Sequence, residues 1–287
     1  MSGLAVPETK NRIPPHPART AKLFSFAENL CTATKQEKEL EITANKIAAV
    51  TLAFWIMKIL ATTLGEAAGD FLSMTLDLGY YRSLAITFSI LAVILYLQIT
   101  AKKFHPLLFW AAVIGTTTAG TGISGFMDRS LELGYAKGSL ILFAGLLAVL
   151  AIWCFWKRDL SVNVITDRGT EIMFWLAVLF SNSLGKAFGD YLTDDAQLSF
   201  LQGALVTAAV IGVVAALHYL TSISDVLLFW VAFIFTRPFG LTFGDLLTKP
   251  LANGGLDLPR EWASLITLGL LLAVLYVSTR TPREEPG

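Results

Sequence analysis

Seven ionisable side chains lie inside otherwise apolar stretches of this 287-residue chain: Lys58, Glu66, Asp70, Lys186, Asp190, Arg237 and Asp245. An ionised group near a bilayer centre costs about 2.5–3.5 kcal/mol on insertion scales, so seven unpaired charges would cost on the order of 20 kcal/mol. That exceeds the roughly 5–15 kcal/mol by which domains are ordinarily stable, so the seven must be paired, protonated or hydrated. Lys58, Thr62, Glu66 and Asp70 recur every four residues and share one helix stripe. Asn182, Lys186 and Asp190 do the same, as do Arg237, Leu241 and Asp245. Buried ionisable residues of this kind mark proton relays and ion sites in membranes. Four acids against three bases leave one carboxylate over, a candidate proton carrier. Glu66, Asp70, Asp190, Asp245, Thr62 and Asn182 offer oxygen ligands for a hard divalent cation, but the neighbouring lysines and arginine oppose it. A proton, a monovalent cation or a small charged solute suits the near-balanced set better. The competing reading is structural, with the charges acting as interhelical glue in a sealed bundle.

The helices that must position these groups carry a repeat. Phe-Trp pairs end at Trp55, Trp110, Trp175 and Trp230, at intervals of 55, 65 and 55 residues. Ten positions on stand Gly65, Gly120, Gly185 and Gly240; fourteen on come Gly69, Ser124, Gly189 and Gly244; fifteen on come Asp70, Gly125, Asp190 and Asp245. The second copy lacks the aspartate and shows an uncharged polar stripe, Thr117, Thr121 and Gly125. Trp55 to Trp175 and Trp110 to Trp230 are both 120 residues, which suggests that a two-repeat half was duplicated. Small residues four apart let helix backbones approach closely in lipid, so packing explains the glycines. The Phe-Trp pairs are expected as interfacial anchors. Pro238, beside Arg237, could kink its helix.

With 54% hydrophobic residues and a mean hydropathy of +0.61, the apolar content concentrates in blocks of about twenty residues, the length that spans a bilayer. Spans are expected to begin near Ile47, Arg82, Leu107, Gly138, Ile172, Phe200, Val226 and Trp262. Two spans per repeat make the copies parallel, related by rotation about the membrane normal. The odd spans carry the stripes and should surround a polar central cavity, with the even spans as a lipid-facing ring. Residues 1–45 read as a cytosolic tail, with no early apolar run resembling a signal peptide and a short helix expected around Gln36–Lys46. The organisation expected is tail, first half 46–157, cytosolic linker 158–171, second half 172–280 and C-terminal tail 281–287. Basic residues outnumber those of the opposite loops on the side of the N-terminus, so both termini should be cytoplasmic and the loops near Asp77, Glu132, Asp194 and Asn253 outward. Cys31 and Cys154 form no disulfide framework, and His16, His105 and His218 lack ligand spacing.

The Phe54-Trp55, Phe109-Trp110, Phe174-Trp175 and Phe229-Trp230 pairs, with Gly65–Asp70, Gly185–Asp190 and Gly240–Asp245, resemble a family of bacterial integral membrane proteins built from four tandem two-helix repeats of unknown function. The resemblance runs from about residue 45 to 280 and implies no activity; Gly120–Gly125 departs from its pattern. The expectation is an all-α, eight-span protein of the bacterial cytoplasmic membrane, working as a proton- or cation-coupled secondary transporter. Asp190 and Asp70 would bind the coupling ion, Asp245 would assist, and Lys186, Lys58 and Arg237 would tune and close the path. The alternatives are a non-transporting scaffold or sensor and an ion channel. No nucleotide-binding loop and no nucleophile-base pair is visible, so an enzyme, a cofactor and a nucleic-acid partner are not expected. Lipid, a small ion or solute and a second copy of the chain are the expected partners.

Overall fold

The computed structural model describes residues 45–72, 79–158, 160, 162, 165–251 and 254–280. Residues 36–44 of the short helix expected around Gln36–Lys46, Cys31, His16, the loop positions Asp77 and Asn253, and residues 281–287 lie outside the described residues. Among the described residues there are eight α-helices and no strand: α1 (Leu52–Asp70), α2 (Gly79–Thr100), α3 (Pro106–Gly125), α4 (Gly134–Lys157), α5 (Arg168–Asp190), α6 (Phe200–Leu220), α7 (Asp225–Thr248) and α8 (Arg260–Arg280). All eight are long and apolar enough to cross a membrane. The chain is therefore a multi-pass integral membrane protein in contact with lipid.

Local chemistry sets where several helices begin. The first starts at Leu52 rather than near Ile47, because Thr51 caps it by accepting from the Phe54 N–H at 3.3 Å. Asn45 and Lys46, included in the expected short helix, are instead non-helical and bond to Ile165. Asp167 caps α5 by accepting from the N–H groups of Gly169 (2.8 Å) and Thr170 (3.1 Å). Arg168 and Glu171, expected in the linker, are therefore in its first turn. Slight burial pushes the Asp167 carboxyl up, but bonds from Thr170, Lys157 and Gly169 outweigh it and hold its pKa at about 2. A depressed folded pKa means that the cap contributes fully above the unfolded value near ~3.9 and fades as pH falls toward about 2. Ser199 opens α6 with a capping box, accepting from Gln202 N while Gln202 accepts from Ser199 N.

The four odd helices form a closed ring in which α1 packs on α3, α3 on α5, α5 on α7 and α7 on α1. The even helices lie outside. In each odd helix 44–67% of the most apolar eighteen-residue window is buried, against 22% in every even helix. Each even helix packs chiefly on the odd helix of the following repeat: α2 on α3, α4 on α5, α6 on α7, and α8 back on α1. The tightly packed hairpins are thus offset by one helix from the sequence repeat.

The glycines at position ten make the ring possible. A Cβ on Gly65 would lie 2.5 Å from Thr117 Cβ, one on Gly120 2.9 Å from Ser183 N, and one on Gly185 2.6 Å from Arg237 Cβ. One on Gly240 would strike the Thr62 hydroxyl. Each glycine therefore faces the seventh or eighth position of the next repeat, four times around. Beyond α3 and α5 the chain passes into π-helical turns, Phe126–Ser130 and Tyr191–Asp195, closed by Leu131 N to Phe126 O (3.0 Å) and Ala196 N to Tyr191 O (2.8 Å). These turns are 65 residues apart and follow Gly125 and Asp190 directly.

Replacing Gly65 or Gly185 by alanine should therefore destabilise the fold by about 1–3 kcal/mol, the usual cost of overpacking. Gly212→Ala, on α6 with nothing within 4 Å of its would-be Cβ, should leave stability unchanged. Thermal unfolding of the three variants in one detergent measures the difference.

Candidate functional site

At the amino-terminal ends of the odd helices the Phe-Trp pairs close the ring. The phenylalanine of each repeat packs on the tryptophan of the next: Phe54 on Trp110 (centroids 5.6 Å), Phe109 on Trp175 (5.5 Å), Phe174 on Trp230 (6.4 Å) and Phe229 back on Trp55 (5.8 Å). Trp110, Trp175 and Trp230 are buried. The expectation of interfacial anchors is corrected here, because close approach of the helices turns the indoles inward onto neighbouring rings. Beside this layer Lys46 Nζ pairs with the buried Glu171 at 3.1 Å and donates to Ile99 O at 3.0 Å. Gln98 Nε2 donates to the other Glu171 oxygen at 3.1 Å. Lys46 N–H donates to Ile165 O at 3.1 Å, and Ile165 N–H to Asn45 Oδ1 at 3.1 Å, joining the segments that precede α1 and α5.

The next layers fill the axis with polar side chains. Lys58 Nζ crosses the ring to donate to Asn182 Oδ1 on α5 at 2.8 Å and sits 3.9 Å above the Phe233 ring of α7. Asn182 Nδ2 donates in turn to Thr116 Oγ1 of α3 at 3.1 Å. One side chain from each odd helix therefore meets at this level. Further along, Glu66 is the centre of a second constellation. Its carboxylate accepts from Thr121 Oγ1 at 2.8 Å, from Lys186 Nζ at 3.0 Å and from Arg237 Nη2. Arg237 Nη2 also donates to Thr121 Oγ1 at 2.8 Å. Nε and Nη1 of Arg237 are buried without a partner among the described residues. Each unmet buried donor costs about 1–3 kcal/mol.

Toward the carboxy-terminal ends the remaining carboxylates gather. Lys186 Nζ donates to Asp190 Oδ1 at 2.6 Å, one turn along α5, and Lys249 reaches Asp245 at 3.6 Å on α7. A recess of about 10 Å³, close to the room one water needs, is lined by Asp70, Thr121, Arg129, Tyr135, Lys186 and Asp190. A larger cavity of about 40 Å³ lies off the axis between α1, α7 and α8, where Glu66, Asp70 and Asp245 meet the hydroxyl-bearing Thr63, Ser264 and Thr267. Side-chain exposure falls steadily inward, from 18% at Asp245 and 13% at Asp190 to 10% at Glu66 and 0% at Arg237. Arg237 is thus fully buried, and the carboxylates nearer the carboxy-terminal ends of the odd helices are slightly more exposed.

The structure brings together Glu66, Lys186, Arg237 and Asp190 directly, joins Lys58 to Asn182, and places Asp70 and Asp245 on the two cavities. Thr62 stays outside this network: its hydroxyl donates to Ile59 O at 2.8 Å and its side chain packs on Gly240. Among the described residues no cluster of three or more His, Cys, Asp or Glu has metal-site geometry. Asp245, one of the four acids counted, has Lys249 within 3.6 Å, a residue expected in a loop; its spacing four residues after Asp245 is the signal that reveals it. Thr121, Thr116 and Phe233 complete the layers and carry no signal beyond their place in the repeat. The Gly65, Gly69, Gly120, Gly185, Gly189, Gly240 and Gly244 contacts fall on neighbouring odd helices, as small-xxx-small packing requires, and Ser124 is buried beside them.

A double-mutant cycle separates the two kinds of pair. Glu66→Gln and Arg237→Gln should each destabilise by about 3–5 kcal/mol, since each strands a buried charge, and should couple strongly. Asp245→Asn and Lys249→Gln, partly open to solvent, should couple by less than about 1 kcal/mol. Chemical unfolding in micelles gives both energies.

Comparison with known proteins adds the repeat itself. The sequence profile described as "Repeat of Unknown Function (DUF347)" matches residues 53–104, 108–159, 173–224 and 228–284. No curated protein and no solved structure matches the chain. Four tandem matches cover most of its length, each taking in one inner and one outer helix, and the protein belongs to the DUF347 repeat family.

Proposed function

We propose that this protein is a secondary transporter coupled to protons or to a monovalent cation, held here in a state closed at the Phe-Trp layer. What supports the reading is the order of the polar side chains along the inner ring. Carboxylates of graded exposure lead from the carboxy-terminal ends of the odd helices to Glu66, and the aromatic layer and the Lys46–Glu171 pair block the other end. A one-ended path to a charged centre is what alternating access requires of a carrier in one of its states. A permanently open channel would need the axis clear, and Lys58, Asn182 and Arg237 fill it.

In this reading Asp190 and Asp70 take the coupling ion at the mouth and Asp245 assists from the off-axis cavity. Lys186 is the switch: it bridges Asp190 and Glu66, and an ion arriving at Asp190 releases it toward Glu66. Lys58 and Arg237 close the inner end. The distribution of basic residues supports cytoplasmic termini; in this reading the Phe-Trp layer is the cytoplasmic gate and the carboxylates open outward, in a bacterial inner membrane. The rival reading, a scaffold or sensor with purely structural ion pairs, draws on the dense bonding of Glu66.

Reconstitution in liposomes with an enclosed pH-sensitive dye, screened against a panel of cations and small solutes, distinguishes them. Wild-type protein should dissipate an imposed gradient, and Asp190→Asn and Asp70→Asn should each slow it about tenfold or more. Flux that these two substitutions leave unchanged would sink the proposed site, and no flux with any solute would favour the scaffold.

A further inference from the structure

Two basic side chains lie at the inner end of the polar network. Lys58 and Arg237 are both fully buried, and no ion pair joins Lys58 to a carboxylate among the described residues. Among those residues the one carboxylate that pairs with Arg237 is Glu66, which is shared with Lys186. Asn182 Oδ1 and the Phe233 ring occupy two sides of the Lys58 ammonium, which has three donors. Arg237 uses only Nη2, so the N–H of Nε and the two of Nη1 are unmet.

The repeat supplies a third group. Thr116 on α3 accepts from Asn182 on α5; advancing both by one repeat gives Ser181 on α5 and Arg237 on α7. Ser181 is fully buried, and its Oγ has no partner among the described residues. Where the second and third repeats make a hydrogen bond, the third and fourth leave Ser181 Oγ and the Nε and Nη1 of Arg237 without one among the described residues. A buried hydroxyl, three buried guanidinium N–H groups and a buried lysine that no carboxylate meets among the described residues are donors of the kind that recognise an anion. With Lys58 protonated, two positive charges face one carboxylate shared with Lys186, and a single negative charge would balance them.

We propose that Lys58, Arg237 and Ser181 form a binding site for a compact monovalent anion, a halide or a small monocarboxylate. Asn182 and Phe233 position the Lys58 ammonium, and Glu66 holds the guanidinium by its other edge. In the carrier this anion is the solute moved together with the coupling ion, a consequence that rests on the transport reading; the binding site itself does not. No covalent step is involved.

The test uses the purified full-length chain in detergent, titrated with sodium chloride or sodium acetate and, at matched ionic strength, with sodium sulfate or gluconate. Chloride or acetate should raise the melting temperature saturably and give a binding isotherm, whereas sulfate and gluconate should not. Lys58→Gln should weaken that binding about tenfold or more, Ser181→Ala by a smaller factor, and Lys102→Gln, on a remote loop, should leave it unchanged. Because Arg237→Gln can fail to fold, the deciding variants are Lys58→Gln and Ser181→Ala, each first shown to unfold cooperatively without added anion. Equal responses to all four salts, meaning that water alone fills the site, would overturn the proposal, as would wild-type anion affinity in both variants. Binding is measured without flux. Anion binding by a protein that moves no ion would therefore remove the transport reading and keep this site; flux without an anion response would do the reverse.

Discussion

Close approach of the four inner helices is the constraint on which the rest depends. Lipid tails are as apolar as leucine, so burying apolar surface does little to hold one membrane helix against another, and backbone proximity has to do it. The glycines at Gly65, Gly120, Gly185 and Gly240 admit the side chain of the next helix where a Cβ would collide. The resulting ring is narrow enough for a lysine on α1 to reach an asparagine on α5, and for an arginine on α7 to reach a threonine on α3. Those bonds cross the axis. A ring wider by one side-chain layer would leave the same residues facing an open, hydrated lumen, and their chemistry would be that of a pore.

The same geometry explains why the unit copied in the sequence is not the unit that packs. An inner helix and the outer helix following it are covalent neighbours, yet the outer helix lies mainly on the inner helix of the next copy. Short connections at residues 101–105 and 221–224 then make tight hairpins of α2 with α3 and α6 with α7. The last such pair, α8 with α1, joins opposite ends of the chain, and Phe229 on Trp55 repeats that closure in the aromatic layer. A single copy would leave both of its helices without their main partners, so the four copies stabilise one another as a closed set. The described residues accordingly form one compact unit rather than two separable halves.

Much of this is legible in the sequence because it is periodic. The four-residue stripes, the small-residue spacing and the even number of spans per copy determine the inner ring, its parallel direction and the outer shell. Non-periodic contacts are not legible. Lys46 precedes α1, Gln98 is on α2 and Glu171 on α5, and no local spacing ties them together. The tryptophans mislead because a Phe-Trp pair near a helix end has the same composition whether it faces headgroups or another ring; only the distance between helices decides. Thr62 sits in the charged stripe by spacing, yet the carbonyl one turn back takes its hydroxyl, the usual competitor for threonine in a helix. Lys249 reads as a loop residue because its helix ends just before it.

A symmetrical frame with an unsymmetrical lining follows from electrostatics. The seventh positions are Thr62, Thr117, Asn182 and Arg237, and the eleventh are Glu66, Thr121, Lys186 and Leu241. Parallel copies around one axis bring equivalent residues to one level, so four identical carboxylates there would repel at close range with little water to screen them, and four identical lysines would do the same. Four identical threonines would be tolerated but could hold no charge. A single central ion site is therefore compatible with fourfold packing only if the copies diverge where they face the axis and stay alike where they face one another. The glycine positions, which face neighbouring helices, remain alike; the eleventh positions supply one acid, one base, one hydroxyl and one leucine, and the acid, Glu66, is met by Thr121 and Lys186 of that set and by Arg237 of the seventh positions.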